Sequence, residues 1–246
     1  MHVPSMRERE ADAWLEFIAD ADTERALRAR IFQTVFEYTL EDVREVCDLF
    51  SDADASAGFA FLGADVGDHA DSISHVHDSE HEVVYHGHRH GRFGDLGFET
   101  AREEIGTGKD AIDDVTGDEG RGIYMPNLSA SEGTLEAAAD LGLDWLIGQT
   151  DSPAPDGLRI LELTDPYTET GILEGGATPE ETFERLRESA VPGKTYVFHP
   201  PHAEYYDAMG EFEAWVQDVQ PVSPSQQVDD GGVGVVLDCT RPLKLL

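Results

Sequence analysis

Apolar positions in this chain fall into short runs, and between them lie stretches with helical spacing. The first run, RIFQTVFEY (Arg30–Tyr38), is rich in β-branched and aromatic residues and predicts a strand. TLEDVREVCDLF (Thr39–Phe50) follows with Val43, Val46, Cys47 and Phe50 at helical spacing and Thr39 placed to cap it. The small-residue run AGFAFLG (Ala57–Gly63) predicts a buried strand, and a short helical stretch around Asp71–Asp78 leads to another, EHEVVYH (Glu80–His86). GIYMP (Gly122–Pro126), DWLIG (Asp144–Gly148), RILEL (Arg159–Leu163) and TYVFHP (Thr195–Pro200) continue the series, with EGTLEAAADLG and TPEETFERLRES as intervening helices. A last helix is expected over AEYYDAMGEFEAWVQDV, burying Tyr205, Tyr206, Phe212 and Trp215, before a Ser/Pro/Gly-rich link and a final apolar strand, GVGVVLDC.

Strands separated by helical patterns of about 10–15 residues imply an α/β architecture with a mostly parallel sheet, open or closed into a barrel. No repeat interrupts it. The expected organisation is a polar helical lead-in over residues 1–29, one barrel domain over 30–220, and a terminal add-on of link and strand over 221–246. Trp145 is expected to pack the barrel.

Charge then narrows the function classes. Of 246 residues 51 are acidic and 17 basic, a formal charge of −34, so a polyanionic partner such as nucleic acid or an anionic membrane surface would be repelled. Lysine occurs only at Lys109, Lys194 and Lys244. A surface so rich in carboxylates is what is expected of a halophilic protein, because concentrated salt screens most of the self-repulsion. The start, MHVPSMREREADAWLEF, lacks the apolar core of a secretion signal, and no window approaches the roughly 20 apolar residues of a membrane span, so the chain is expected to be cytoplasmic. Cys47 and Cys239 have no metal-ligand spacing and are expected to be reduced core residues.

In parallel α/β folds ligands gather where strands end, which selects Glu37 and Tyr38; Asp65, Asp68 and His69; His86, His88 and His90; Tyr124, Pro126 and Asn127; and His199, Pro200 and His202. In YHGHRHG three histidines stand at i, i+2 and i+4. On a helical turn His86 and His90 would share a face and could bind one Zn2+, Co2+ or Ni2+ ion; on a strand all three would share it. A solvated His-rich loop fits the same spacing.

SEHEVVYHGHRH resembles the second motif of the polysaccharide deacetylases, the NodB or family 4 carbohydrate esterases, in which Gly-His-Glu-Ile precedes a His-x-x-x-His metal pair. AGFAFLG is similar to the family's Ala-Thr-Phe-Phe strand, YMPN falls where Arg-x-Pro-Tyr belongs, ELTDP is similar to its late acidic strand end, and FHP supplies its final histidine. The resemblance implies a distorted (β/α)7 barrel, a divalent metal such as zinc held by His86 and His90, and His199 as the acid that protonates a leaving amine. It implies a substrate with an acetamido sugar or small amide group. Such chemistry is coherent, since a bound cation lowers the pKa of water and two separate groups handle the proton in and the proton out.

The first family motif, Phe-Asp-Asp-Gly, would fall on Phe36-Glu37-Tyr38-Thr39, with Glu37 in place of the base and Tyr38 in place of the ligand carboxylate. Tyr124 stands where the family has Arg. On this alignment Glu37, Asp65, Asp68 or His88 would have to complete the metal site, while Tyr38, His88, Tyr124, Pro126 and Asn127 would face substrate. Two readings stay open: a divergent metal-assisted hydrolase of C–N bonds, or an inactive barrel that binds a glycan or metabolite.

Overall fold

The computed structural model describes residues 11–240 apart from 13, 14, 17, 37 and 164–167. Seven parallel strands close into a barrel in chain order: β1 (Gly58–Phe61), β2 (Glu82–Tyr85), β3 (Gly122–Ser129), β4 (Trp145–Gln149), β5 (Arg159–Leu163), β6 (Lys194–Phe198) and β7 (Gly234–Asp238). This is the expected (β/α)7 barrel, with one exchange of parts.

Arg30–Tyr38 is not a strand. Helix α1 (Glu24–Val35) runs through most of it, capped by the Thr23 hydroxyl, which accepts from the Ala26 amide at 3.1 Å. Tertiary contact overrides the β-branched composition here. Ala29 and Arg30 are buried, and Arg30 donates through Nε and Nη2 to both oxygens of Glu174 at 2.9 and 2.8 Å. The vacated slot between β1 and β6 is taken by the last strand: β7 pairs with both neighbours, through Ala60↔Asp238 and Phe198↔Leu237. What looked like a terminal add-on closes the barrel.

Along each strand, alternate side chains enter two separate apolar clusters, as the period of a strand requires. Ala60, Val84, Tyr124, Ile147, Val197 and Val236 form one, the barrel interior. Phe59, Phe61, Tyr85, Ile123, Tyr196, Phe198 and Leu237 form the other, beneath the helices. Helix α2 (Leu40–Ser51) packs on that outer layer through Val43, Val46, Cys47 and Phe50, and begins with a capping box between Thr39 and Asp42. Cys47 and Cys239 are buried free thiols, and Trp145 is fully buried, as expected.

Helices α3 (Val66–Asp78), α4 (Phe98–Thr116), α5 (Glu132–Asp140), α6 (Thr168–Glu174) and α7 (Pro179–Ser189) follow in turn. The expected last helix is split into α8 (Pro200–Tyr205) and α9 (Met209–Val219), because Asp207 adopts a left-handed conformation at φ 56°. Its apolar face is nonetheless buried, with Phe212 and Trp215 in the core. Helix α10 (Pro224–Asp230) then lies against the N-terminal ends of the strands. There Gly234 leaves room for Gln227, whose Oε1 would stand 2.1 Å from an added Cβ.

Candidate active site

Extending the inward-facing series by one step on three strands brings Val84 to His86, Val197 to His199 and Val236 to Asp238. Their side chains converge at the C-terminal end of the barrel. His86 is fully buried, His90 is 6% exposed and Asp238 5%, and the ligand atoms of these three lie within 4.8 Å of one another.

The loop carrying the two histidines is pinned by its backbone. The His86 amide donates to Phe61 at 3.0 Å, the Gly63 amide to Gly87 at 3.0 Å, and the His88 amide to Glu104 on α4 at 3.0 Å. Gly87 takes φ 79°, and Gly108 on α4 approaches so closely that an added Cβ would stand 2.5 Å from the Gly87 carbonyl. Since β2 stops at Tyr85, His88 does not continue a strand face. The loop brings His86 and His90 together, with ring centroids 5.0 Å apart, and His88 lies outside the group.

His86 Nδ1 donates to the Tyr124 carbonyl at 2.7 Å, which fixes the tautomer and leaves Nε2 as a lone pair. Among the described residues that Nε2 has no hydrogen-bond partner; it is buried and faces Asp238 Oδ2 at 3.8 Å. Burial lowers the pKa of His86, and burial together with the adjacent His86 pushes His90 down to about 3, which favours the neutral ring in both. Burial works to raise Asp238, but His86, His199 and His90 hold it below the ordinary carboxylate value. The His86 Nε2 therefore faces a carboxylate oxygen at 3.8 Å.

His199 forms the second half of the site. Its Nε2 lies 3.7 Å from Asp238 Oδ2, and its Nδ1 lies 3.6 Å from Glu169 Oε1, which also accepts from the His199 amide at 2.7 Å. Burial opposes protonation of His199, yet Glu169, Asp238 and Glu174 outweigh it and raise the pKa. The Thr170 hydroxyl stands 3.3 Å from His199 Nδ1 and 3.1 Å from His202 Nδ1, so His202, fully buried, supports the site from behind.

Other strand-end candidates are placed differently. Tyr38 is 4% exposed in the outer core, with Cys239, Asp42 and Cys47 as its electrostatic neighbours, and it is no counterpart of a ligand at the barrel mouth. Tyr38 is displaced because the residues before it are helical. Glu37 and Asp165 lie outside the described residues. Tyr124 is buried and stacks on His86 at 4.5 Å, Pro126 is buried, and Asn127 is exposed. Asn127 and Leu128 take φ 53° and 54° where the β3–β4 register shifts, and Asn127 Nδ2 donates to the Gly91 carbonyl at 3.4 Å. Asp65 and Asp68 are not in the clustered group.

Asp238 and Glu169 are the two groups the sequence reading missed. For Asp238 a signal existed: GVVLD is an apolar run ending in a carboxylate, the same form as TYVFH. Glu169 sits in a short helix with no distinguishing pattern.

Residues 31–146, just under half of the chain, match the profile of the polysaccharide deacetylase family, and the match ends before His199 and Asp238. No curated protein matches the chain. Solved structures share the fold. A CE4 family pseudoenzyme from Bacillus anthracis superposes with a TM-score of 0.57 at 16% identity, over 81% of this chain and 60% of that one. The chain thus spans about three fifths of that protein's length. A family 4 acetyl xylan esterase from Clostridium thermocellum, in complex with a cobalt ion, gives 0.52 at 16% identity, over 82% of this chain and 83% of that one. A family 4 carbohydrate esterase from Streptomyces lividans, in complex with acetate, gives 0.56 at 12% identity, over 78% and 91%.

Proposed function

We propose that the protein is a divergent polysaccharide deacetylase, a metal-dependent hydrolase that removes an acetyl group from an acetamido sugar or small amide. The observation that carries the reading is the buried lone pair of His86 facing Asp238 Oδ2 at 3.8 Å, with His90 alongside. Two acceptors so placed repel unless a proton or a metal ion lies between them, and two imidazoles with a carboxylate suit Zn2+ or Co2+. His86, His90 and Asp238 would hold the ion, with Asp238 in the place the sequence reading gave to Glu37, Asp65, Asp68 or His88. Such an ion polarises a carbonyl and lowers the pKa of water.

The chain's own groups divide the remaining work. His199, whose pKa Glu169 and Asp238 raise against burial, delivers a proton to the nitrogen as the C–N bond breaks. Tyr124 orients His86 through its carbonyl and walls the interior behind the site. Glu37 is proposed as the acceptor of the water proton on the family resemblance alone. The products are acetate and a free amine, so water is the only co-reactant. With a formal charge of −34, a neutral substrate in concentrated salt suits the protein.

The test pairs metal content with acetate release from N-acetylated chitooligosaccharides, both in molar salt and without chelator. About one equivalent of metal, lost in His86→Ala, and acetate release lost in His86→Ala and His199→Ala, is the expected result. A protein that binds no Zn2+ overturns the reading. Bound metal without acetate release moves the assignment to a non-catalytic glycan- or metabolite-binding barrel, which Tyr124 in place of the family's Arg would favour.

A further inference from the structure

Asp238 ends the strand that closes the barrel, and its two oxygens have different surroundings. Oδ1 accepts from the Thr240 amide at 3.0 Å and from the Thr240 hydroxyl at 2.6 Å. Oδ2 faces His86 Nε2 at 3.8 Å and His199 Nε2 at 3.7 Å. We infer that Thr240 is a positioning residue that makes Asp238 a single-oxygen ligand, engaging Oδ1 with two donors so that Oδ2 alone is offered to the cation. The inference rests on the proposed metal site and adds a property to it.

The argument is one of satisfaction. Turning both oxygens toward an ion would break two hydrogen bonds at once and strand the Thr240 hydroxyl and amide beside a buried carboxylate. The amide is fixed by the backbone leaving β7, so the hydroxyl decides how firmly the carboxylate is held. One oxygen and two imidazole nitrogens make a three-ligand set, and three protein ligands leave a position for water or substrate, as a catalytic site requires. A bidentate carboxylate would use that position. Thr240 therefore sets both how tightly the ion is bound and how open its coordination remains, while touching neither ion nor substrate.

Cobalt provides a readout independent of turnover, because its visible absorption reports coordination number and ligand type. Wild type, Thr240→Ser, Thr240→Ala and Thr240→Val are titrated with Co2+ in molar salt, with Zn2+ competition for affinity and thermal unfolding of each metal-free protein. Thr240→Ser, which keeps the hydroxyl, should match wild type. Thr240→Ala and Thr240→Val should bind about 10-fold more weakly, the low end of the range for outer-shell partners of metal ligands, with a shifted and weakened absorption band. If Val prevents folding, the Ala variant decides the matter. Wild-type affinity and an unchanged band in Thr240→Ala would overturn the inference and leave the metal site standing. Failure of wild type to bind Co2+ or Zn2+ would remove the site and the inference together.

Discussion

The two ends of this barrel are built on the same strands and are finished in opposite ways. At the N-terminal end, helix α10 meets the first residues of the strands and supplies partners. Glu82 accepts from the Ser225 amide at 2.8 Å and from its hydroxyl, and Trp145 Nε1 donates to the same hydroxyl at 3.0 Å. Thr195 donates to Gln227 Oε1 at 2.9 Å, and Gln227 Nε2 donates to the Lys194 carbonyl at 3.0 Å. Arg121 bridges Asp144 and Asp229. At the C-terminal end, more deeply buried polar groups face one another across gaps of 3.6–3.8 Å, and among the described residues His86 Nε2 has no hydrogen-bond partner. Buried polar atoms without partners are uncommon and need a reason. The closed end holds the barrel together; the open end gathers the groups proposed to bind an ion.

Ligand addition is the strongest way to test that contrast. Saturating Zn2+ at 1,000 times its dissociation constant should raise unfolding stability by about 4 kcal/mol, since only the folded chain assembles ligands from the loop after β2 and from β7. Denaturant unfolding with and without chelator measures it. Asp238→Asn should erase the increment, and an equal increment in that variant would place the ion elsewhere.

The contrast was only half legible in the sequence. Runs such as GFAF, EVVY and GVVLD announce strands because both of their faces are buried, one in the barrel and one beneath helices. RIFQTVFEY has the same composition, yet it is helical because Arg30 docks on Glu174 and the barrel slot is filled by another strand. That one exchange explains the misplaced Tyr38. The His86 and His90 spacing was readable because a single loop carries both. Asp238 was not readable as their partner, since it lies about 150 positions further along and only barrel closure brings it near. Glu169 is defined purely by what it touches.

At the closed end the expected effect is smaller and confined to stability. Ser225→Ala removes one hydroxyl that serves both Glu82 and Trp145, so it should cost about 1–3 kcal/mol, the range for leaving a buried donor or acceptor unsatisfied. Zn2+ affinity should stay at the wild-type value. A variant that unfolds normally but binds metal poorly would mean the two ends are coupled through the strands.

The smallest effect probes how complete the closed end is. Burial raises the Glu82 carboxyl above its ordinary 4.5, and the Ser225 and Ser223 hydrogen bonds and Arg121 only partly oppose it. The folded protein therefore binds this proton more readily than the unfolded chain does. Its stabilising contribution is fully present below the ordinary value of 4.5 and is lost as pH rises through the folded value. Glu82→Gln cannot titrate, so the stability of wild type relative to this variant should fall as pH increases above 4.5, measured by denaturant unfolding in fixed salt. A flat difference across that window would mean that Ser225 fully compensates the buried charge. A falling one would show that even the well-partnered end of the barrel keeps a carboxylate at a cost, and that the distinction between the ends is one of degree.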